Sequence, residues 1–180
     1  MPYDSAATRT RLVDAAVCEF SAHGLAGARV DRIAADARAN KRAIYDYFIN
    51  KEGLFDAAVD RVVRALNAAV PLREGDLPGY VADLFDYLQA HPEAVRMLSW
   101  QRLERPAVGP RLTDAFLAHL AAVRDAGTIA PVDLVILTIG LANAWHLSGP
   151  DLVDGDAIDP ARIASHRAAV VEATRRLTAA

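Results

Sequence analysis

Apolar residues return every three or four positions along almost the whole chain. No stretch keeps the strict alternation of a half-buried strand, so the pattern predicts helices from end to end. Leu12, Val13, Ala16, Val17 and Phe20 form the first stripe. Its helix opens after Asp4 or Ser5, either of which can cap it, and Gly24 supplies a left-handed stop after His23. A second, shorter stripe follows in Val30, Ile33, Ala34 and Ala37, and a third in Ala43, Ile44 and Phe48. The small pair Ala34 and Ala37 lets these two short helices cross closely, as a helix-turn-helix unit requires. Lys51 and Glu52 open a fourth helix, with Leu54, Phe55, Ala58, Val62 and Leu66 on its inner face, ending at about Val70.

Pro71 to Pro78 is a turn-rich break, and the helical spacing resumes beyond it. Leu77, Tyr80, Val81, Leu84, Tyr87 and Leu88 mark one helix. Val95, Met97, Leu98, Trp100 and Leu103 mark the next, which opens at Pro92, and Leu112, Phe116, His119, Leu120 and Val123 mark another. Pro131 and Pro160 each sit where a first helical turn accepts proline. The fold class expected is all-α, with about nine helices. The helix from Pro131 to about Leu147 is apolar nearly all round and must be covered on more than one side. Its own core covers one side. For the other we expect a homodimer, in which the last helix, with its stripe of Ile163, Val170 and Leu177, completes an antiparallel pair that meets the same pair of a second subunit.

Composition adjusts this picture in a few places. With 180 residues, 53% hydrophobic and 24% charged, the chain suits one or two globular domains. The net charge of −3 is uneven: residues 1–51 carry eight Lys or Arg against six Asp or Glu, and the remainder carries twelve against seventeen. The basic end is therefore the end with the paired short helices. The single cysteine, Cys18, forms no intrachain disulfide and is expected to be a partly buried structural thiol. Residues 1–11 hold no apolar run, and Val132 to Trp145 is too short and too polar to cross a bilayer, so a cytoplasmic protein without membrane contact is expected. The five histidines, His23, His91, His119, His146 and His166, fall on different helices or their ends with no metal-ligand spacing, and each is expected to be satisfied or exposed. The acidic loop between Gly149 and Asp159 lacks the ligand pattern and closing glutamate of a calcium loop. No phosphate-binding glycine loop, nucleophile elbow or zinc-protease pair occurs, so no catalytic residue, metal or cofactor is expected.

The candidate chemistry lies in Val30 to Phe48. Asn40, Lys41 and Arg42 open the second of the two short helices, and Tyr45, Asp46 and Tyr47 lie on or beside its outer side. Such a helix suits the major groove, where Lys and Arg reach guanine edges and tyrosine hydroxyls bond phosphates. From Thr8 to Phe55 the chain resembles the DNA-binding domain of the tetracycline-repressor (TetR) family of bacterial regulators. The shared features are Ala15-Ala16 with Phe20, Gly24, Ile33-Ala34, Ala37 and Ala39 around the turn, Tyr45 with Phe48, and Lys51-Glu52 with Leu54. Three positions depart from the family pattern: Arg29 stands where Ser or Thr usually caps the helix, Arg38 where the turn usually has Gly, and Tyr47 where His is frequent.

The resemblance implies a helix-turn-helix DNA-binding domain over 1–51 and a helical ligand-binding and dimerisation domain over 52–180. It implies a homodimeric transcription regulator, most simply a repressor, whose partners are a palindromic double-stranded DNA operator and a small hydrophobic effector. The DNA-binding candidates are Arg29, Asn40, Lys41, Arg42, Tyr45, Tyr47 and Lys51, with Lys41 and Arg42 as base readers. The effector candidates are Tyr87, Met97, Trp100, Phe116, His119, Asn143 and Trp145, large aromatic, soft or polar side chains on facing helices. Two rivals stay open on sequence grounds: an all-helical enzyme or carrier with an incidental helix-turn-helix, and a regulator without an inducer.

Overall fold

The computed structural model describes residues 5–106, 117, 129–148 and 159–179, and all regular structure among them is helical. Eight helices are described: α1 (Ser5–Gly27), α2 (Val30–Asp36), α3 (Lys41–Phe48), α4 (Lys51–Ala69), α5 (Leu77–Ala90), α6 (Pro92–Glu104), α7 (Pro131–Leu147) and α8 (Pro160–Thr178). The helix expected over Leu112 to Val123 lies outside the described residues except for Leu117, which is helical. Packing groups the chain into two compact units. The first comprises residues 1–66 with 91–112, and the second residues 67–90 with 113–180.

In the first unit the predicted stripe of α1 is the core. Leu12, Val13, Ala16 and Phe20 are buried, as are Ile33 and Ala34 of α2, Ala43, Ile44 and Phe48 of α3, and Leu54, Phe55 and Ala58 of α4. Phe20 meets Phe55 edge to face, with ring centroids 5.0 Å apart. Each of these rings removes enough apolar surface from water to stabilise the unit by about 2–3 kcal/mol. Cys18 is exposed, contrary to the expectation of a partly buried thiol, because it stands on the side of α1 opposite the stripe.

α6 packs against α1 in this same unit. Gly24 is the reason it can. Its φ of +67° and ψ of −178° kink α1, which then resumes for one turn to Gly27 instead of stopping. A Cβ at position 24 would lie 2.9 Å from carbon atoms of the Trp100 ring. The Trp100 indole donates to the Ser21 carbonyl at 3.3 Å. The Glu104 carboxylate accepts from the backbone N–H groups of Leu25 and Ala26, left open by the kink. Further out, Arg105 forks onto Asp56 of α4 at 2.8 and 2.9 Å.

In the second unit α5 packs on both α7 and α8. Tyr80, Val81, Leu84, Phe85 and Leu88 of α5 face Leu134, Val135, Ala142 and Trp145 of α7 and Val170 of α8 as buried residues. Arg167 of α8 forks onto Asp86 of α5, both bonds 2.7 Å. Val170, expected from sequence to face a second subunit, is only 3% exposed and belongs to the unit's own core. Among the described residues, most of the apolar surface that remains open in this unit is on α7, where Val132, Ile136, Leu137 and Leu147 are exposed.

Gly24→Ala is expected to destabilise the protein by about 1–3 kcal/mol, since the new methyl combines a disfavoured φ with a collision against a packed indole. Gly27→Ala, whose Cβ would meet only the His23 Cβ at 3.5 Å, is expected to be neutral or mildly stabilising. Urea melts of the two variants make the comparison, and equal stability would contradict the role given to Gly24.

Candidate nucleic-acid interface

The geometry of α2 and α3 is set by a buried carboxylate on α1. Glu19, with its side chain only 7% exposed, accepts the backbone N–H of Arg29 at 2.7 Å and the guanidinium of Arg32 through three contacts of 2.5 to 3.0 Å. Arg29 is the N-cap of α2 and makes no side-chain cap of its own. Glu19 therefore engages, from the neighbouring helix, the N-cap N–H that an acid at the third helical position accepts in a capping box. Burial alone would raise the Glu19 pKa. The bonds from Arg32 and the Arg29 amide, with the charges of Arg32 and His23, outweigh it and hold the carboxyl below its ordinary value.

The turn that follows is a Schellman end. Arg38 N–H bonds to the Ala35 carbonyl and Ala39 N–H to the Ala34 carbonyl, with Arg38 at φ +50°. Arg38 thus adopts the left-handed conformation for which glycine is favoured, at a cost of about 1–2 kcal/mol. Arg11 steadies the turn from α1, donating to the Ala37 carbonyl at 3.1 Å and to the Thr8 hydroxyl at 3.0 Å. Its guanidinium is thereby a positioning group for α2 and α3.

Asn40 caps α3, its side-chain oxygen accepting from the Arg42 N–H at 2.8 Å. With Ala43, Ile44 and Phe48 held in the core, α3 turns Lys41, Arg42, Tyr45 and Asp46 outward, and Tyr47 is half-buried beside the Phe48 ring. Lys41 pairs with Asp31 of α2 at 2.8 Å, and this bond raises its pKa. The Arg42 side chain is 85% exposed, with only a 3.9 Å approach to Asp46. Arg9 of α1 lies over the Phe48 ring at 5.1 Å.

Past α3 the chain reverses abruptly. Ile49 has φ +69° and ψ −50°, and Asn50 N–H bonds to the Phe48 carbonyl at 2.7 Å, a strained γ-turn at a residue 83% exposed. Gly53 makes the reversal possible, because a Cβ there would sit 2.2 Å from the Phe48 carbonyl oxygen. Asn50 accepts from Gly53 N–H and opens α4. Lys51 donates to the Ala26 carbonyl near the end of α1 at 3.2 Å, where a cation is favoured.

Residues 12–58 match the family model "Bacterial regulatory proteins, tetR family". Residues 76–176 match "Tetracyclin repressor-like, C-terminal domain". The chain belongs to the TetR family. As a TetR-family protein it is a DNA-binding transcription regulator. It is 39% identical over 161 residues to the HTH-type transcriptional repressor SCO4008 of Streptomyces coelicolor, covering 83% of each chain. It is 36% identical over 105 residues to the repressor NicS of Pseudomonas putida, covering 54% of this chain and 50% of NicS. Among solved structures it resembles SCO4942 of Streptomyces coelicolor, a candidate transcriptional regulator, with a TM-score of 0.81 and 38% identity over 94% of this chain and 97% of that one.

The effector candidates separate between the two units. Met97 and Trp100 lie on α6 in the first, where Met97 is fully buried and Trp100 covers Gly24. Tyr87, Asn143 and Trp145 lie in the second. Asn143 donates to the Ile139 carbonyl of its own helix at 2.8 Å, and Trp145 carries the Arg162 guanidinium at 5.5 Å. Phe116 and His119 lie outside the described residues. Sequence reasoning missed Glu19 and Arg32 as the clamp on α2. The available signal was an acid standing directly beside the apolar stripe of α1.

Replacing Glu19 with Ala leaves the Arg29 amide unpaired and is expected to cost about 1–3 kcal/mol. A carboxyl held low in the folded state stabilises above its ordinary pKa of 4.5, and that contribution is lost as pH falls through the folded value. Glu19→Gln is therefore expected to remove part of the acid sensitivity below about pH 4.5 while keeping an acceptor for Arg29. Thermal melts between pH 3 and 7 test this, and parallel profiles for wild type and Gln variant would refute it.

Proposed function

We propose that this TetR-family regulator is a homodimeric repressor that holds a palindromic operator and leaves it when a small hydrophobic ligand binds. In this reading residues 1–51 engage DNA and residues 52–180 carry the dimer contact and the ligand site. The observation that carries it is the exposed start of α3. Lys41 and Arg42 stand free of the core on a helix whose opposite side is anchored by Ile44 and Phe48, so both side chains reach outward toward base edges. Asn40 adds its amide donors beside them, and Arg29, Tyr45, Tyr47 and Lys51 engage phosphates. The Asp31 partner of Lys41 is exposed, so exchanging it for DNA sacrifices little. Lys51 uses one of its three donors on Ala26 and keeps the others for a phosphate.

Dimerisation is supported by the open stripe of α7, in which Val132, Ile136, Leu137, Gly140 and Leu147 recur at helical spacing and are all exposed. Ala161, Ala164, Ser165 and Ala168 are exposed on α8, where small side chains permit a close helix approach. A twofold dimer of this kind places two copies of α3 against half-sites about 34–36 Å apart or a multiple of that spacing. For the effector, Tyr87, Asn143 and Trp145 supply the aromatic and polar side chains of the second unit. A hundredfold loss of operator affinity requires about 2.7 kcal/mol of difference in ligand binding between the DNA-bound and free conformations.

On an operator recovered by selection from random duplexes, Arg42→Ala is expected to cost about 1–3 kcal/mol and relax the preference at one position per half-site. Lys51→Ala is expected to weaken all sequences alike and flatten the salt dependence. A base-specific effect of Lys51, or an unchanged sequence preference with Arg42→Ala, would reverse these roles. For the dimer, Ile136→Asp places a charge on a side chain that is 54% exposed in the single chain. It is expected to yield folded monomers in sedimentation and to abolish tight operator binding. A dimer that persists would rule out this face.

A further inference from the structure

We infer that Arg38, in the turn between α2 and α3, binds a DNA phosphate, and that it occupies a strained backbone conformation for the sake of that contact. This rests on the reading in which the start of α3 enters the major groove. The turn itself has no need of an arginine. Arg38 lies at φ +50°, where a Cβ is disfavoured and glycine is at no disadvantage. The bonds that close the turn join backbone groups of Ala34, Ala35, Arg38 and Ala39, and the Arg11 side chain holds the Ala37 carbonyl; none of them uses the Arg38 side chain. Burial does not hold the residue there either, because it is exposed. Among the described residues its guanidinium makes no hydrogen bond, ion pair or ring contact. Other cations nearby are already engaged: Arg11 on the turn, Arg32 on Glu19 and Lys41 on Asp31. A side chain that adds strain and brings no internal contact points to a partner outside the chain.

Position and charge identify that partner as a phosphate. In a helix-turn-helix the first helix crosses the DNA backbone and the N-terminal end of the second meets base edges, so the turn joining them passes over the edge of the groove. Arg38 precedes Lys41 by three residues, which keeps their Cα atoms within roughly 11 Å of each other. That is about three nucleotides along one strand. A guanidinium presents its donors in a planar fork that matches two phosphate oxygens, and here none of those donors is spent on the protein. With Lys41 and Arg42 directed at base edges, a phosphate contact from Arg38 adds affinity and register but no sequence preference. The rival account is electrostatic and internal: a cation is favoured near the C-terminal end of a helix, here α2. The two accounts differ in sign, since a cation serving the helix end stabilises the fold, whereas a strained arginine kept for DNA does not.

The test uses the full chain and the operator recovered by selection, with binding read by fluorescence anisotropy between about 50 and 200 mM salt. Arg38→Gly is expected to melt about 2–4 °C higher than wild type, because the strain is gone. It is nevertheless expected to bind the operator at least about fivefold more weakly, with the slope of log affinity against log salt reduced by about 0.9 for each protomer bound. A duplex of unrelated sequence is expected to lose affinity by the same factor. Arg38→Asn, which tolerates the left-handed backbone without the charge, is expected to bind like the glycine variant, and Arg38→Lys to recover most of the affinity and the full slope. Unchanged affinity and slope in Arg38→Gly, or a loss confined to one base pair, would overturn the phosphate contact. A lower melting temperature would assign the arginine to the end of α2 and overturn it as well. Arg42→Ala on the same operator separates the two failures. If it keeps its effect at one position while Arg38→Gly binds as wild type, only the Arg38 contact fails; if neither substitution changes binding, the placement of α3 in the groove fails.

Discussion

The contact on which the DNA-binding end depends is the buried carboxylate of Glu19. A charge removed from water is tolerated only where every lone pair is engaged, and the Arg29 amide and the Arg32 fork engage those of Glu19. The result is directional in a way that apolar packing is not. Leu12, Ile33 and Ile44 would tolerate small rotations of α2 against α1, whereas the bond to Arg29 N–H fixes where α2 begins and at what angle. α3 inherits that orientation through the short turn at Arg38. The placement of Lys41 and Arg42 is in this sense the far end of a chain of constraints that starts at one acid on α1.

Strain is concentrated on both sides of α3. Arg38 before it and Ile49 after it are the two described non-glycine residues with positive φ. Both are exposed, so neither conformation is forced by burial of its own side chain. The turn at Arg38 is held by Arg11 on the Ala37 carbonyl, and the reversal at Ile49 by Asn50, Gly53 and the start of α4. A short helix framed by two such turns has little freedom to slide or extend. In the proposed reading, that rigidity suits side chains that are to meet base edges to within fractions of an ångström.

The second unit follows a different logic. Its core is built from the apolar faces of α5, α7 and α8, yet it encloses two imidazoles and an amide whose Nε2 atoms make no bond. α7 divides its apolar surface between that core and an open stripe. The buried core and the open apolar stripe of the unit thus lie on opposite sides of one helix.

Periodicity by itself determined the helices and most of the core, because burial of one face in every 3.6 residues leaves its mark on local sequence whatever the partner. It also marked the outward side of α3, since Ala43, Ile44 and Phe48 leave only one side for Lys41 and Arg42. The family resemblance was legible at the same level, in spacings such as Tyr45 to Phe48 and Lys51 to Leu54. What local sequence does not contain is which face meets which. Only the tertiary structure decided that α6 joins α1 through Trp100 and Gly24, that Val170 is used within its own unit, and that Glu19 holds the N-cap residue ten positions later, from which α2 starts. Only there, too, do His146 and His166 come to flank Phe85. The physical reason is common to all of these: the partners are far apart along the chain, and a single side chain carries no record of the distant group that will satisfy or exclude it.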